Sequence, residues 1–292
     1  MIEKKVIVTG VNGQVGQFLV EKLKLRKNIQ LYAFNRSDLD ITSFNDVMSK
    51  VNEINPDYII NAAAYTAVDK AEVDKETCFA INAKGSKNLA LAADEVNALL
   101  IHISTDYVFD GNKIGEYSEL DITNPTSVYG QSKLEGEAWI AESCDQYVIV
   151  RTAWVFSEKQ NNFVKTMLRL ATYHPKLTII DDQFGGPTYA GDIADTLIKV
   201  MDGYQDKKQS GIYHYSGYPY VTWFEFASEI FAHAQSYNVL DSVPEVLPIP
   251  TSEYPTPAPR PYNSRLDGSK IEKSFNVKCC DWKLRLDCIK EI

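Results

Sequence analysis

The stretch that decides the fold is Lys4–Gly16, which reads KKVIVTGVNGQVG. Its first half is a short apolar run, typical of a parallel strand that is buried on both faces. Gly10, Gly13 and Gly16 follow, and apolar residues with helical spacing occupy 17–23. The first glycine permits a tight turn, the second lets the backbone approach a pyrophosphate, and the third allows the helix to pack closely on the strand. This order predicts a dinucleotide site with its phosphates at a helix N-terminus.

Strand and helix patterns alternate through the first half of the chain. Apolar strand patterns recur at 29–34, 58–61, 99–104 and 147–151, and helical patterns at 42–53, 75–96 and around Tyr129. Such alternation implies parallel pairing through right-handed crossovers. We therefore predict an α/β fold with a Rossmann-type doubly wound parallel sheet.

The second half has a looser pattern. Helices are expected at 162–173, 191–202 and 222–236 and short strands at 177–180 and 211–215, while the proline-rich stretch 244–261 excludes regular helix. We predict a dinucleotide-binding domain with the catalytic residues at 1–155. We expect residues 156–292 to form mainly a smaller C-terminal substrate-binding lobe, with some segments returning to the first domain.

Composition bounds the function. A net charge of −9 argues against nucleic acid or an anionic membrane surface as a partner. The five cysteines lack paired ligand spacing and suit reduced thiols, and the four histidines are scattered, which disfavours a zinc site. No apolar run approaches the ~20 residues that span a bilayer, and the N-terminus does not read as a signal peptide. These features favour a cytoplasmic protein, monomeric or homodimeric.

A second motif supplies chemistry. Tyr129 and Lys133 stand four residues apart on one predicted helix face, and Thr105 ends the strand upstream of them. If the carboxyl edge of the sheet brings the three together, the hydroxyls of Thr105 and Tyr129 meet one substrate carbonyl oxygen. Tyr129 would protonate that oxygen as a hydride arrives at the carbon, while Lys133 lowers the pKa of the phenol and holds the nicotinamide ribose.

The end of the second predicted strand bears on the choice of coenzyme. An acidic residue there would bind a ribose 2′-hydroxyl, but the chain reads Phe34-Asn35-Arg36-Ser37. Arg36 suits a 2′-phosphate, which favours NADPH and leaves NADH possible because Asp38 and Asp40 follow closely.

Further motifs extend over nearly the whole chain: residues 61–72 (NAAAYTAVDKAE), 104–109 (STDYVF), 162–163 (NF), 182–188 (DQFGGPT) and 260–266 (RPYNSRL). Together they resemble the dTDP-4-dehydrorhamnose reductase family, in the nucleotide-sugar branch of the extended short-chain dehydrogenase/reductase superfamily. The resemblance implies reduction of the C4 ketone of dTDP-4-dehydro-L-rhamnose, a dTDP-linked 4-keto-6-deoxy sugar, with NADPH or NADH. The product, dTDP-L-rhamnose, would serve cell-surface polysaccharide synthesis.

The resemblance also implies residue roles. The catalytic residues would be Thr105, Tyr129 and Lys133. Together with the glycine loop, the resemblance implies a set of cofactor-binding residues. They are Gly10, Asn12, Gly13, Gln14, Val15, Gly16, Asn35, Arg36, Asp40, Ile41, Ala62, Ala63, Ala64, Tyr65, Tyr129 and Lys133. The residues that the resemblance implies for substrate binding are Val68, Ser104, Thr105, Asp106, Phe109, Trp154, Asn162, Gln183 and Arg260. The last three are candidates for binding the diphosphate. Phe109 and Trp154 also fit core aromatics, and Asp106 a turn carboxylate. Phe18 and Gly191 stand where some members have metal-bridging carboxylates, so we predict no essential metal.

Two rival functions remain open. A nucleotide-sugar dehydratase or epimerase has the same fold, but dehydration commonly uses an Asp-Glu pair after the strand-end Thr, and Asp106 is followed here by Tyr107. A non-catalytic subunit resembling the regulatory subunit of methionine adenosyltransferase would not need Thr105, Tyr129 and Lys133 together. Both comparisons favour a reductase.

Overall fold

A computed structural model describes residues 3–292. The strands are β1 (Lys4–Thr9), β2 (Ile29–Phe34), β3 (Tyr58–Asn61), β4 (Leu99–Thr105), β5 (Tyr147–Thr152), β6 (Val155–Phe156), β7 (Lys176–Ile180), β8 (Phe184–Gly185), β9 (Thr188–Tyr189), β10 (Gly211–His214), β11 (Val221–Thr222), β12 (Glu245–Ile249) and β13 (Asn263–Ser264). The helices are α1 (Gln14–Lys24), α2 (Phe44–Ile54), α3 (Val68–Ala71), α4 (Lys75–Phe79), α5 (Gly85–Glu95), α6 (Val128–Ser143), α7 (Phe163–Tyr173), α8 (Ala190–Gly203), α9 (Trp223–Ser236) and α10 (Ser269–Phe275).

Six parallel strands form the central sheet, in the order β2-β1-β3-β4-β5-β10. The predicted α/β fold with a doubly wound parallel sheet is confirmed. The strand order reverses between β1 and β3, so crossovers leave in opposite directions and open a crevice at the carboxyl ends of these two strands. The edge strand β10 comes from the second half of the chain, as do α8 and α10, which pack on the same face of the sheet as α1. The boundary at residue 155 stays a prediction.

Both faces of the sheet are covered by apolar residues, as expected of parallel strands. Val6 and Val8 of β1 point to the α1, α8 and α10 face, whereas Ile7 points to the α2, α5 and α6 face. The helix predicted at 75–96 is present, with a π-helical segment, Ala80–Lys84, between α4 and α5. No helix in residues 3–292 is both long enough and apolar enough to cross a bilayer.

A second core lies outside the sheet, between α7, α9 and the two-stranded pair of β7 and β12. The strand β12 falls in the proline-rich stretch and contains Pro248, which the sequence did not indicate as a strand. A two-stranded sheet has only edges, and an edge tolerates a residue without an N–H donor. Phe226 and Trp282 pack edge to face at the centre of this core.

Candidate active site

A cleft runs along the carboxyl ends of β1, β3, β4 and β5. Three adjoining cavities make it up, and each shares lining residues with the next. The first, of about 420 Å³, lies between the glycine loop and Arg36. The middle one, of about 620 Å³, contains Thr105, Tyr129 and Lys133. The third, of about 560 Å³, reaches Arg260.

The glycine loop has the close backbone contacts that the sequence predicts. Gly10 has φ +70°, and a Cβ there would lie 2.4 Å from the backbone nitrogen of Ala63. A Cβ on Gly16 would lie 2.2 Å from the carbonyl oxygen of Gly10. The loop therefore lies directly against the end of β3, and α1 starts beside it with free N–H groups at the cleft. This cradle fits a dinucleotide pyrophosphate.

The helix α6 brings the Tyr-Lys pair to the cleft. Ser127 caps it, its Oγ accepting from the backbone N–H of Gly130 at 3.1 Å. Gly130 allows α6 to approach the turn after β4, since a Cβ there would lie 2.2 Å from the carbonyl oxygen of Tyr107. Tyr129 and Lys133 are consequently 9% and 1% exposed.

Burial controls the titration of this pair. Burial raises the pKa of Tyr129 above its ordinary value. The neighbouring Thr105 hydroxyl lowers this pKa, but burial is the larger effect. It also lowers the pKa of Lys133 to about 8. The expectation that Lys133 lowers the pKa of the phenol stays a prediction, because burial decides the direction of the shift here. A dry cleft disfavours both the tyrosinate and the ammonium.

Thr105 and Asp106 form a small polar network at the end of β4. The Thr105 hydroxyl donates to Asp106 Oδ1 at 3.1 Å, and the Ser264 hydroxyl donates to Asp106 Oδ2 at 2.5 Å. Burial raises the pKa of Asp106 to about 6, although both hydrogen bonds favour its ionised form. For Thr105 to donate to a substrate oxygen, its hydroxyl must turn away from Asp106.

A buried ion pair lies behind the catalytic helix. Glu137 Oε1 accepts from Arg151 Nε at 2.9 Å and Oε2 from Nη2 at 2.6 Å, with both side chains 2% exposed. The Ser104 hydroxyl donates to Glu137 Oε1 at 2.5 Å. Ser104 lines the cleft, but its hydroxyl is committed to the carboxylate, so it is not the free substrate contact that the sequence implied.

Aromatic and charged side chains shape the third cavity. Trp154 lies between this cavity and the middle one and stacks on Trp223 with centroids 3.5 Å apart. Arg260 Nη2 donates to Asp69 Oδ2 at 2.6 Å, and because Asp69 is on α3, this hydrogen bond crosses the cleft. Nη1 of Arg260 is buried without a hydrogen-bond partner among residues 3–292. A buried N–H group without a partner is costly, and an anionic ligand would satisfy it.

Comparison with known proteins gives the family. The family model described as "RmlD substrate binding domain" matches residues 4–291. A dTDP-4-dehydrorhamnose reductase of Aggregatibacter actinomycetemcomitans is 44% identical, covering 98% of each chain, and one of Escherichia coli K12 is 40% identical over 96% of this chain and 94% of its own. A crystal structure of dTDP-4-dehydrorhamnose reductase from Bacillus anthracis in complex with NADP is 37% identical, with a TM-score of 0.91 over 98% of both chains.

The chain belongs to the dTDP-4-dehydrorhamnose reductase family. The first cavity contains residues that the sequence assigns to the adenosine end of the coenzyme, an assignment that stays a prediction. Asn35, Arg36, Asp40, Ile41 and Tyr65 line it with residues 62–64. Arg36 is exposed and has no ion-pair partner in the described part of the chain. Asp40 accepts from the backbone and hydroxyl of Thr42, so its carboxylate is already engaged.

The structure brings most of the predicted family residues to the cleft. Those that line its cavities are Gly10, Asn12, Gly13, Gln14, Val15, Asn35, Arg36, Asp40, Ile41, Ala62, Ala63, Ala64, Tyr65, Val68, Ser104, Thr105, Asp106, Tyr129, Lys133, Trp154, Asn162, Gln183 and Arg260. Gly16 lines none of them and acts through packing. The roles of these residues in binding and catalysis stay predictions.

Besides Ser104, one substrate assignment needs correction, and another residue lies elsewhere in the cleft than expected. Phe109 is 1% exposed and stacks on Tyr117 at 4.1 Å, so it is the core aromatic of the alternative interpretation. Asn162 caps α7 and donates to Gln14 Oε1 at 3.0 Å. It therefore lies beside the glycine loop in the middle cavity, whereas Gln183 and Arg260 line the third cavity, and its role at the diphosphate stays a prediction.

Four residues of the site were missed. Tyr107 lines both the middle and third cavities and contacts Tyr129 edge to face at 5.5 Å. Asp69 accepts a hydrogen bond from Arg260, and Ser264 donates one to Asp106. His102 lies behind Lys133, with its Nε2 3.0 Å from Lys133 Nζ. Asp69 and Ser264 lie inside quoted motifs, which was the available signal, whereas nothing in the sequence marks a histidine within a buried strand.

Proposed function

We propose that this protein reduces the C4 ketone of dTDP-4-dehydro-L-rhamnose with NADPH, giving dTDP-L-rhamnose. The observation that carries the proposal is the meeting of Thr105, Tyr129 and Lys133 in one cavity that adjoins the glycine loop. The motifs that match the family extend from that loop to Arg260 on the far side of the cleft. The nicotinamide supplies the hydride when the coenzyme is bound.

The side chains perform the proton transfer. Tyr129, whose pKa is raised by burial, is protonated at neutral pH and can give its proton to the C4 oxygen as negative charge grows there. Thr105 lies beside it and can donate to the same oxygen once released from Asp106. Lys133 lies one helical turn further along α6 and can stabilise the resulting tyrosinate as an ammonium.

The ends of the cleft suit the two ligands. Arg36 is free to meet a 2′-phosphate, while the nearby Asp38 accepts from the backbone N–H of Asn35 at 3.1 Å, which supports NADPH with NADH as a weaker alternative. Arg260, with its unsatisfied Nη1, supports binding of the sugar nucleotide's diphosphate in the third cavity. We also propose that the protein is a monomer or homodimer, that it acts in the cytoplasm and that it has no nucleic-acid partner.

The test mixes purified protein with NADPH and dTDP-, UDP- or GDP-linked 4-keto-6-deoxy sugars. We expect loss of reduced-nicotinamide absorbance with the dTDP substrate, and NMR of the product should give the L-rhamno configuration at C4. Tyr129→Phe should lower kcat by about 10² or more with cofactor affinity kept, whereas Tyr204→Phe, remote from the cleft, should retain the rate. Equal turnover of all three nucleotides, or a fully active Tyr129→Phe variant, would contradict the proposal.

A further inference from the structure

The imidazole of His102 lies directly behind Lys133, and the proposed reaction makes no use of it. His102 is on β4 and is 0% exposed. Its Nε2 lies 3.0 Å from Lys133 Nζ, and its Nδ1 lies 2.9 Å from Asn61 Nδ2. Which atom donates in each contact follows from the surroundings of Asn61.

The orientation of the Asn61 amide is fixed by its neighbours. Its Oδ1 lies 3.0 Å from the backbone nitrogen of Ala63 and 2.7 Å from Thr9 Oγ1. A backbone N–H only donates, so the atom facing Ala63 must be the carbonyl oxygen, and the amide nitrogen therefore faces His102. Because an amide nitrogen also only donates, His102 Nδ1 accepts. Burial lowers the pKa of His102 well below its ordinary value, so the ring is neutral, and since Nδ1 accepts, its one proton is on Nε2.

That proton points at Lys133. An ammonium carries three donors and no acceptor, whereas an uncharged amine has a lone pair that can accept. We infer that His102 is a positioning residue that donates its Nε2–H to the lone pair of Lys133 and so favours the uncharged amine over the ammonium in the cofactor-free protein. One N–H of the amine then donates to the carbonyl oxygen of Ile103 at 2.7 Å.

The other titratable groups around Lys133 do not reverse this arrangement. Glu137 on the same helix and Cys78 on α4 both favour the ammonium, but burial is the larger effect and the pKa of Lys133 falls to about 8. Both oxygens of Glu137 are already engaged by Arg151. Burial raises the pKa values of Cys78 and Tyr129, so neither supplies a negative charge at neutral pH.

A consequence for ligand binding follows, and it rests on the proposed function. A hydroxyl of the bound coenzyme that accepts from Nζ favours the ammonium over the amine. Binding of NADPH then takes up a proton from solvent onto Lys133, approaching one per cofactor at a pH above the pKa of Lys133. His102 thereby links the charge of Lys133 to the presence of cofactor.

Two measurements test the inference. Long-range ¹H–¹⁵N NMR of the free protein should find His102 protonated at Nε2 and bare at Nδ1; the opposite tautomer, or a doubly protonated ring, overturns the inference without reference to activity. Calorimetry of NADPH binding in buffers of different ionisation enthalpy should detect proton uptake by the wild type. If NADPH does not bind, the proposed function fails, and the tautomer still decides the role of His102.

Variants test whether the proton taken up on NADPH binding goes to Lys133 and depends on His102. In His102→Gln a carbonyl oxygen can face Nζ and accept from the ammonium, so we expect the uptake to vanish, as it should in Lys133→Met. The matched control is His214→Gln, at the other fully buried histidine, which contacts the Tyr117 carbonyl and should leave the uptake unchanged. Absence of uptake in the wild type, or its persistence in His102→Gln, overturns the inference.

Discussion

Glu137→Gln should destabilise the protein severely, because it leaves the Arg151 guanidinium buried without a counter-ion. Glu137 now accepts three hydrogen bonds, two from Arg151 and one from Ser104, at 2% exposure. The amide turns one of these acceptors into a donor and removes the charge. Breaking a buried pair from one side costs about 3–5 kcal/mol. With ~2 cal/mol/K of unfolding entropy per residue, this corresponds to a fall in Tm of roughly 5–8 °C for a chain of this length.

The assay is thermal and urea unfolding of the variant beside a matched control. Glu142→Gln removes a carboxylate from the exposed end of the same helix and should change the free energy of unfolding by less than about 0.5 kcal/mol. The double variant Glu137→Leu with Arg151→Met removes both charges and should recover much of the loss. A Glu137→Gln variant as stable as Glu142→Gln would refute the reasoning, since Arg151 would then have found another partner or water.

Three further predictions concern the cleft. Gly10→Ala should abolish detectable NADPH binding in a titration, because its Cβ would overlap the backbone of Ala62 and Ala63 just after β3; near wild-type affinity would contradict this. Arg36→Ala should raise KM for NADPH about tenfold and leave that for NADH nearly unchanged, measured with both coenzymes; equal effects would remove the 2′-phosphate role. Asp106 contributes stability that is fully present below its unfolded pKa of 3.8 and is lost as pH rises through about 6. Urea midpoints of Asp106→Asn should therefore fall less across that window than those of the wild type, and parallel curves would show that Asp106 does not titrate there.

Local features of the sequence were sufficient for the fold and the catalytic trio. The glycine loop and the strand before it are contiguous in the chain, and Tyr129 and Lys133 share a helix face through their spacing alone. The burial alternation of a covered sheet likewise follows from each strand separately. Such features need no knowledge of distant partners.

The errors arose where a distant partner decides the role of a side chain. Ser104 is committed to Glu137, which lies 33 positions further along the chain. Phe109 packs in the core against Tyr117 and against the distant His214, and Asp69 meets Arg260 across 191 positions. The lowered pKa of Lys133 depends on the depth of burial, which no spacing rule contains. Pairings of this kind are set by tertiary packing.

The dryness of the cleft links these observations. Burial moves the pKa values of Tyr129, Lys133 and Asp106 each toward the neutral form, so the ligand-free cleft carries less charge than its residues would in water. Arg260 leaves one N–H group without a hydrogen-bond partner among residues 3–292. An anionic dinucleotide and a sugar diphosphate would supply acceptors and negative charge, so we expect ligand binding to favour the ammonium form of Lys133.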